Sequence, residues 1–580
     1  MPGSALAPMS TAESLEMIVS TMPDAGGAVP DTEVAMELAR VCGHLPLALR
    51  LATARLATRP SWSISDLVRR LRDNSHRLAQ LRDGTTDIVA SFQASYEDLS
   101  SAAQRAFRMC SIHPGEDFDT RTACALTGED DVTVERILDE LLDANMLLQY
   151  APDRYRYHDL LSLYAGQLVE EDDAGDCDEA LERLLGAYTE RLTEAMDQAY
   201  PSTVRLSSRS GHGGSIGTED DAVTWLDAEA GVLVALAVRA SRSERHASFA
   251  WRIADQLRGY FVARRHAEGW NRVVEAGFQA LQRADDDRAR AAMFMCRGQA
   301  RSAAGHDAEG LSDTLVALRL AEDCGWDSAV AYLLHNVGWT HYEFGDLDKA
   351  EGWLRRILEA PGHDAEGPVP VATRNAIGMV MLDRGRWHDA EVHFQAALDA
   401  SVTAGRERAT LTIRGNLASA LRRQGATEEA ARHLEGVLHG FRRRGDVRGE
   451  LSTLDEMSQL EGDERNTEPA LRLARQSHEL ATQVHDLRAR AMTLCTLGEA
   501  LLATGNIVDA QETLTRAATL AHVHSYRFLE ARALVALAST LMASGETAAA
   551  SEHADRALGL AREFGFEAVE HGAKQMMQGA

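Results

Sequence analysis

The run Gly338-Trp339-Thr340-His341-Tyr342-Glu343-Phe344-Gly345-Asp346-Leu347-Asp348-Lys349-Ala350 carries the signal that decides the fold. It holds three small residues, at Gly338, Gly345 and Ala350, and the same spacing returns every forty residues. The middle column reads Gly305, Gly345, Gly385, Gly425, Arg465, Gly505 and Gly545. Five residues later stand Gly310, Ala350, Ala390, Ala430, Ala470, Ala510 and Ala550, and seven residues earlier Gly298, Gly338, Gly378, Ala418, Ser458, Gly498 and Ala538. Between the columns, apolar residues recur at helical spacing, as in Ala329, Val330, Leu333, Leu334 and Val337, then Leu354, Ile357 and Leu358. The physics is helix, turn, helix. The first column lets two helices approach, the second supplies a left-handed turn residue, and the third seats the second helix on the first. About seven such pairs predict a right-handed α-solenoid with an extended concave surface, over residues 288–580.

The small–Gly–Ala pattern resembles the tetratricopeptide repeat in a forty-residue form, with the first and fifth units the weakest matches. In that family the groove residues lie on one face of the first helix. Carried over by register, they are Tyr332, His335, Trp339, Tyr342 and Glu343 in the second unit, and Asn375 and Asp383 in the third. Arg422 and Arg423 follow in the fourth, and Glu499 in the sixth. Aromatic rings beside mixed charge suit a protein or peptide ligand. The competing reading places Trp339 and Tyr342 in the core between units.

The chain before the repeats is also helical. Ser10 and Glu13 form a capping box. Asp31 caps a helix that stops at Gly43, His44-Leu45-Pro46 starts another, and a further one follows Ser65. Residues 1–86 therefore read as a small helical domain. Residues 87–172 read differently: three helices, from Ser101, Thr120 and Val134, and then a hairpin turning at Pro152-Asp153, the pattern of a winged helix. Its third helix, the position of a DNA reader, carries Glu135, Arg136, Asp139, Glu140 and Asp143. From Glu97 to Asp159 there are fourteen acids and six arginines. A reader helix needs cations for phosphates, so direct DNA binding is disfavoured. Residues 173–287 read as helical linker, with a flexible loop at 205–219.

These segments carry a second resemblance. Cys42-Gly43-His44-Leu45-Pro46-Leu47-Ala48 looks like the Gly-Leu-Pro-Leu-Ala segment of the ARC domain in NB-ARC (STAND-class) signalling ATPases. Tyr157-His158-Asp159 looks like their MHD segment, with Tyr157 in place of Met. The stretch Ala222–Val238 resembles a linker helix of large actinobacterial regulators of the AfsR/SARP type. The domain order resembles the C-terminal part of such NB-ARC/STAND transcriptional regulators, over essentially the whole chain. The resemblance implies ADP or ATP contacts, with Pro46 against the adenine and His158 against the β-phosphate. No cofactor is otherwise required. No P-loop precedes these modules, since the two lysines of the chain are Lys349 and Lys574. Three expectations stay open: a nucleotide-binding domain supplied in trans by a split partner, a natural remnant without one, or a misplaced start codon.

Composition narrows the classes further. The chain has 580 residues and a formal net charge of −28, which repels nucleic-acid backbones. Seven cysteines without a C-x-x-C pair read as free thiols, no apolar run reaches membrane-spanning length, and the reading is cytoplasmic. Gly213-Gly214-Ser215-Ile216-Gly217 matches a nucleophile elbow, but the polar segment before it lacks the buried strand such an elbow needs. No metal-ligand spacing stands out. The expectation is a non-enzymatic regulatory protein that works by recognition through the repeat groove. A free-standing adaptor or peptide receptor without nucleotide dependence is the alternative.

Overall fold

Residues 9–21, 32–42, 44, 46–57, 63–71, 82–83, 86–201, 203–206, 216–264, 267–360, 367–484 and 486–579 are described by the computed structural model. Asp31, Gly43, Leu45 and the Gly213–Ser215 part of the elbow-like sequence lie outside these residues, as does the side chain of Pro46. The described residues hold 28 helices and two short antiparallel hairpins, so the fold is all-α. They form two compact units, one mostly before Asp286 and one mostly from Asp286 onward. No helix among them is long and apolar enough to cross a membrane.

In the first unit the caps act as local chemistry requires. The Ser10 amide donates to Glu13 Oε2 at 2.7 Å, and the Glu13 amide donates to Ser10 Oγ at 3.3 Å, which closes the box ahead of helix Thr11–Thr21. The helix expected after Ser65 begins earlier, at Ile64, because Ser63 and Asp66 form the box there. In the winged helix, Ser100, Asp119 and Asp130 each accept a first-turn amide of the helices Ser101–Cys110, Thr120–Thr127 and Asp131–Asp143. The strands Leu148–Ala151 and Arg154–Arg156 pair antiparallel, with Asp153 in a left-handed turn at φ 54° and Phe118 bridged to Tyr155.

A buried polar chain ties this module to the helices that follow. Tyr188 of helix Ala174–Ala199 donates its hydroxyl to Glu229 Oε2 at 3.1 Å and stands 2.9 Å from His113 Nε2. Glu229, on helix Glu219–Ala240, also accepts from Arg154 Nη1 at 3.0 Å, and Arg154 is paired in turn with Asp117. Burial pushes the His113 imidazole down to about 4, so it stays neutral in this chain of bonds.

The second unit is the expected stack of seven helix pairs. The first helices of the pairs are Asp287–Ala303, Asp327–Glu343, Pro368–Asp383, Glu407–Arg423, Val447–Asp463, Leu487–Ala503 and Arg527–Ser544. Each is followed by its partner, from Asp307–Asp323 to Thr547–Phe564, and helix Glu567–Gly579 closes the stack. The turn column behaves as read: its glycines all have positive φ, and Arg465 adopts the same conformation at φ 63° without being glycine. The alanine column is buried throughout from Ala350 to Ala550. The small residues ahead of the turn mark close helix approach. A Cβ on Gly378 would lie 2.5 Å from the ring of Phe394, itself fully buried. Gly378→Val should therefore destabilise this unit by about 1–3 kcal/mol in a urea titration.

A second turn column lies twenty residues out of phase, between one pair and the next. Gly325, Gly405, Gly445, Ser525 and Gly565 all take positive φ there. Only one of the two turn columns was read from the sequence.

The second pair meets the far end of this stack. A Cβ on Gly345 of the second pair would lie 2.8 Å from Phe566 Cζ and 2.9 Å from Arg527 Cβ. Phe566 and Val569 share one buried apolar cluster with Tyr342, Leu347, Ile377 and Met381. The concave surface thus curves back on itself within the unit, around a partly open lumen.

Candidate functional site

Two cavities of about 580 and 430 Å³ occupy this lumen. They share Arg422, Arg423, Gln459, Phe528 and Arg532, so they are contiguous. The forty-residue register builds the lining. Arg408, Arg448 and Arg488 stand at one register position near the start of three successive first helices, and all three line the larger cavity. Arg408 pairs with Asp446 at 2.7 Å, and Arg448 pairs with Asp486, each thirty-eight residues on. The next rung would need an acid at position 526, where Tyr526 stands. Arg488 turns instead across the lumen, with its guanidinium carbon 5.6 Å from the Tyr342 ring centroid and the charges of Glu343 and Asp383 beside it.

Deeper in, the buried Arg422 donates to Glu456 at 2.6 Å, to Gln459 at 3.0 Å and to Asp463. Burial alone would raise the Glu456 carboxyl, but Arg422, with Arg423 and Ser419, outweighs it and the net shift is down. Arg532 forks onto Glu499 at 2.9 and 2.6 Å. Two carboxylates are less well served. Burial pushes Asp383 up to about 6, against Tyr342 and Arg488. Burial pushes Asp455 up to about 7, against Arg532. Asp455 Oδ2 accepts from Gln459 and Thr496 at 2.9 and 3.1 Å, whereas its buried Oδ1 has no hydrogen-bond partner. Arg423 makes neither a hydrogen bond nor an ion pair among the described residues; its charged neighbours are Arg422, Arg532, Glu456 and Glu499.

Of the residues picked by register, Trp339, Tyr342, Asp383, Arg422 and Arg423 line the larger cavity, and Glu499 lines the smaller. Tyr342 is at the same time a member of the buried apolar cluster, 5.1 Å from Trp339 ring to ring. The other four are engaged between units or beside the lumen. Tyr332 accepts from Gln299 at 2.7 Å, His335 lies 3.3 Å from Thr373 with its imidazole pushed down to about 4 by burial, and Asn375 accepts from Asn416 at 2.9 Å. Burial raises the Glu343 carboxyl, with Arg488 opposing. The same register would have found Asp455, forty residues twice over from Asn375, and the Arg408–Arg448–Arg488 column.

The two nucleotide contacts implied by resemblance fall in the first unit. Pro46 opens helix Pro46–Ala57, and His158 sits at the N-cap of helix Asp159–Val169 without a side-chain cap bond. Among the described residues no cluster of His, Cys, Asp and Glu is arranged to hold a metal ion, and none of the seven cysteines is in a disulfide.

Residues 370–442 match the tetratricopeptide repeat family. The regulatory protein AfsR of Streptomyces griseus is 28% identical over 514 residues, covering 87% of this chain and 51% of that protein. The chain is homologous to regulatory proteins of the AfsR type. A second relative, AfsR of Streptomyces coelicolor, is 29% identical over 319 residues, covering 53% of this chain and 32% of that protein. The chain thus spans about half, or less, of the AfsR proteins it matches. In fold it is similar to a signal transduction ATPase with numerous domains (STAND) that carries a tetratricopeptide repeat sensor, from Pyrococcus horikoshii. That match has a TM-score of 0.51 at 10% identity, over 91% of this chain and 74% of the other.

Proposed function

We propose that this chain is the recognition half of an AfsR-type regulator, acting without catalysis by holding a peptide segment in the lumen of its repeat unit. The observation that carries this reading is the lumen itself. Its volume is in the range of ligand pockets, about 300–1,000 Å³, and its walls combine aromatic rings with charged groups not fully paired. The acidic third helix of the winged helix argues against direct DNA contact, so that module serves as a structural joint. A nucleotide-binding domain in trans, with ADP against Pro46 and His158, belongs to the same proposal.

Two measurements test it. Trp339→Ala removes a lumen ring that is only partly packed into the core. It should cut retention of a randomised octapeptide pool on the immobilised chain by about tenfold, the size of a lost aromatic anchor. Unchanged retention would sink the lumen reading. Calorimetric titration of ADP, beside His158→Ala, tests the nucleotide contacts: heat at micromolar ADP that the variant loses supports them, and no heat removes them from the proposal.

A further inference from the structure

The lumen is cationic in an anionic chain. Its larger cavity presents six arginines against the four carboxylates of Asp383, Asp446, Asp455 and Glu456, whereas the chain as a whole carries −28. Four of those arginines are used up in ion pairs with neighbouring repeats: Arg408, Arg448, Arg422 and Arg532. Arg488 is drawn to Tyr342 and its acids. That leaves Arg423, which has no acceptor of its own and lies where the two cavities join. A second observation points into the same space. Asp455 is 2% exposed, yet its Oδ1 has no donor. A buried acceptor left unpaired is costly and calls for a donor from a bound partner.

Building on the peptide reading above, we infer that the lumen selects an extended peptide with an acidic side chain, whose carboxylate is taken by Arg423 while a backbone N–H of the peptide fills Asp455 Oδ1. The guanidinium fork matches a carboxylate in two parallel bonds, which a neutral amide cannot reproduce. The aromatic wall of Trp339 and Phe528 supplies the apolar contact beside it. The contiguous cavities fit a short extended segment and are far too small for a folded domain.

The probes are two pools of octapeptides, acetylated at the N-terminus and amidated at the C-terminus so that only side chains carry charge. One pool has Glu fixed at a central position, the other Gln, and neither has another acid among its random positions. Retention on the immobilised full chain is counted by mass spectrometry. The Glu pool should be retained about tenfold better than the Gln pool. Arg423→Gln should erase that preference while leaving the circular dichroism and Tm of the chain unchanged. Equal retention of both pools overturns the acidic-side-chain inference and leaves peptide binding standing. An unchanged preference in Arg423→Gln overturns the role of Arg423. Retention of neither pool overturns both this inference and the reading it rests on.

Discussion

Arg422→Ala should lower the stability of the repeat unit by about 3–5 kcal/mol, which a urea titration followed by circular dichroism will read. The side chain of Arg422 is 3% exposed and holds Glu456, Asp463 and Gln459 together across the interface of the fourth and fifth repeats. Removing it deprives Glu456 of the largest of the interactions that offset its burial, ahead of Arg423 and Ser419. An unpaired buried charge is worse than no charge at all. Stability in a repeat stack is close to a sum of units and interfaces, so the loss should be local. Amide exchange should accelerate in helices Glu407–Arg423 and Val447–Asp463 before it does in Asp287–Ala303. Uniform acceleration through all seven pairs would show that the closed stack unfolds as one unit.

Asp455→Asn should change the pH dependence of stability more than its value at low pH. The carboxyl of Asp455 is raised by burial from an ordinary 3.8 to about 7, so the folded chain binds its proton more tightly than the unfolded chain does. Its contribution is therefore full below about pH 4 and is lost as pH rises toward 7. Three units correspond to an effect on the order of 4 kcal/mol. Asp383, raised to about 6, acts in the same direction; His335, lowered to about 4, acts in the opposite one. The difference between wild type and variant isolates Asp455. Asparagine can accept from Gln459 and Thr496 through its oxygen and place its amide where Oδ1 lacks a partner. The variant's Tm should exceed that of wild type at pH 8, and the gap should close at pH 4. Parallel Tm curves would mean that Arg532 keeps Asp455 ionised throughout.

What the sequence showed and what it hid divide along sequence distance. The turn glycines, the buried alanines and the capping boxes are local patterns, and they stood in plain view. So did the acidic third helix of the winged helix, whose Glu140 bonds back to Ser100 at 2.6 and 2.8 Å and leaves that helix no more basic than its composition. The second turn column reads Gly325, Ala365, Gly405, Gly445, His485, Ser525 and Gly565. Glycine thus fails at three of its seven places, where Arg465 alone interrupts the first column, and a left-handed serine is not visible from residue type. Lumen residues within one first helix followed from register. The pairing across the lumen did not, because Arg488 meets Tyr342 only after the stack has curved back on itself. No periodicity encodes that curvature. It accumulates from small rotations between neighbouring pairs.

The contact of Gly345 with Phe566 and Arg527 has a bearing on how such a chain can change over generations. Open stacks grow and shrink by duplication or deletion of a unit, since each unit touches only its neighbours. Here a gained or lost forty-residue unit would carry Phe566 away from its seat beside Tyr342 and Leu347 and uncover that apolar cluster. Copy number, elsewhere a loose variable, becomes an integer fixed by a closure condition. Divergence is then channelled into point changes on the inner wall, where specificity can drift while the count stays at seven.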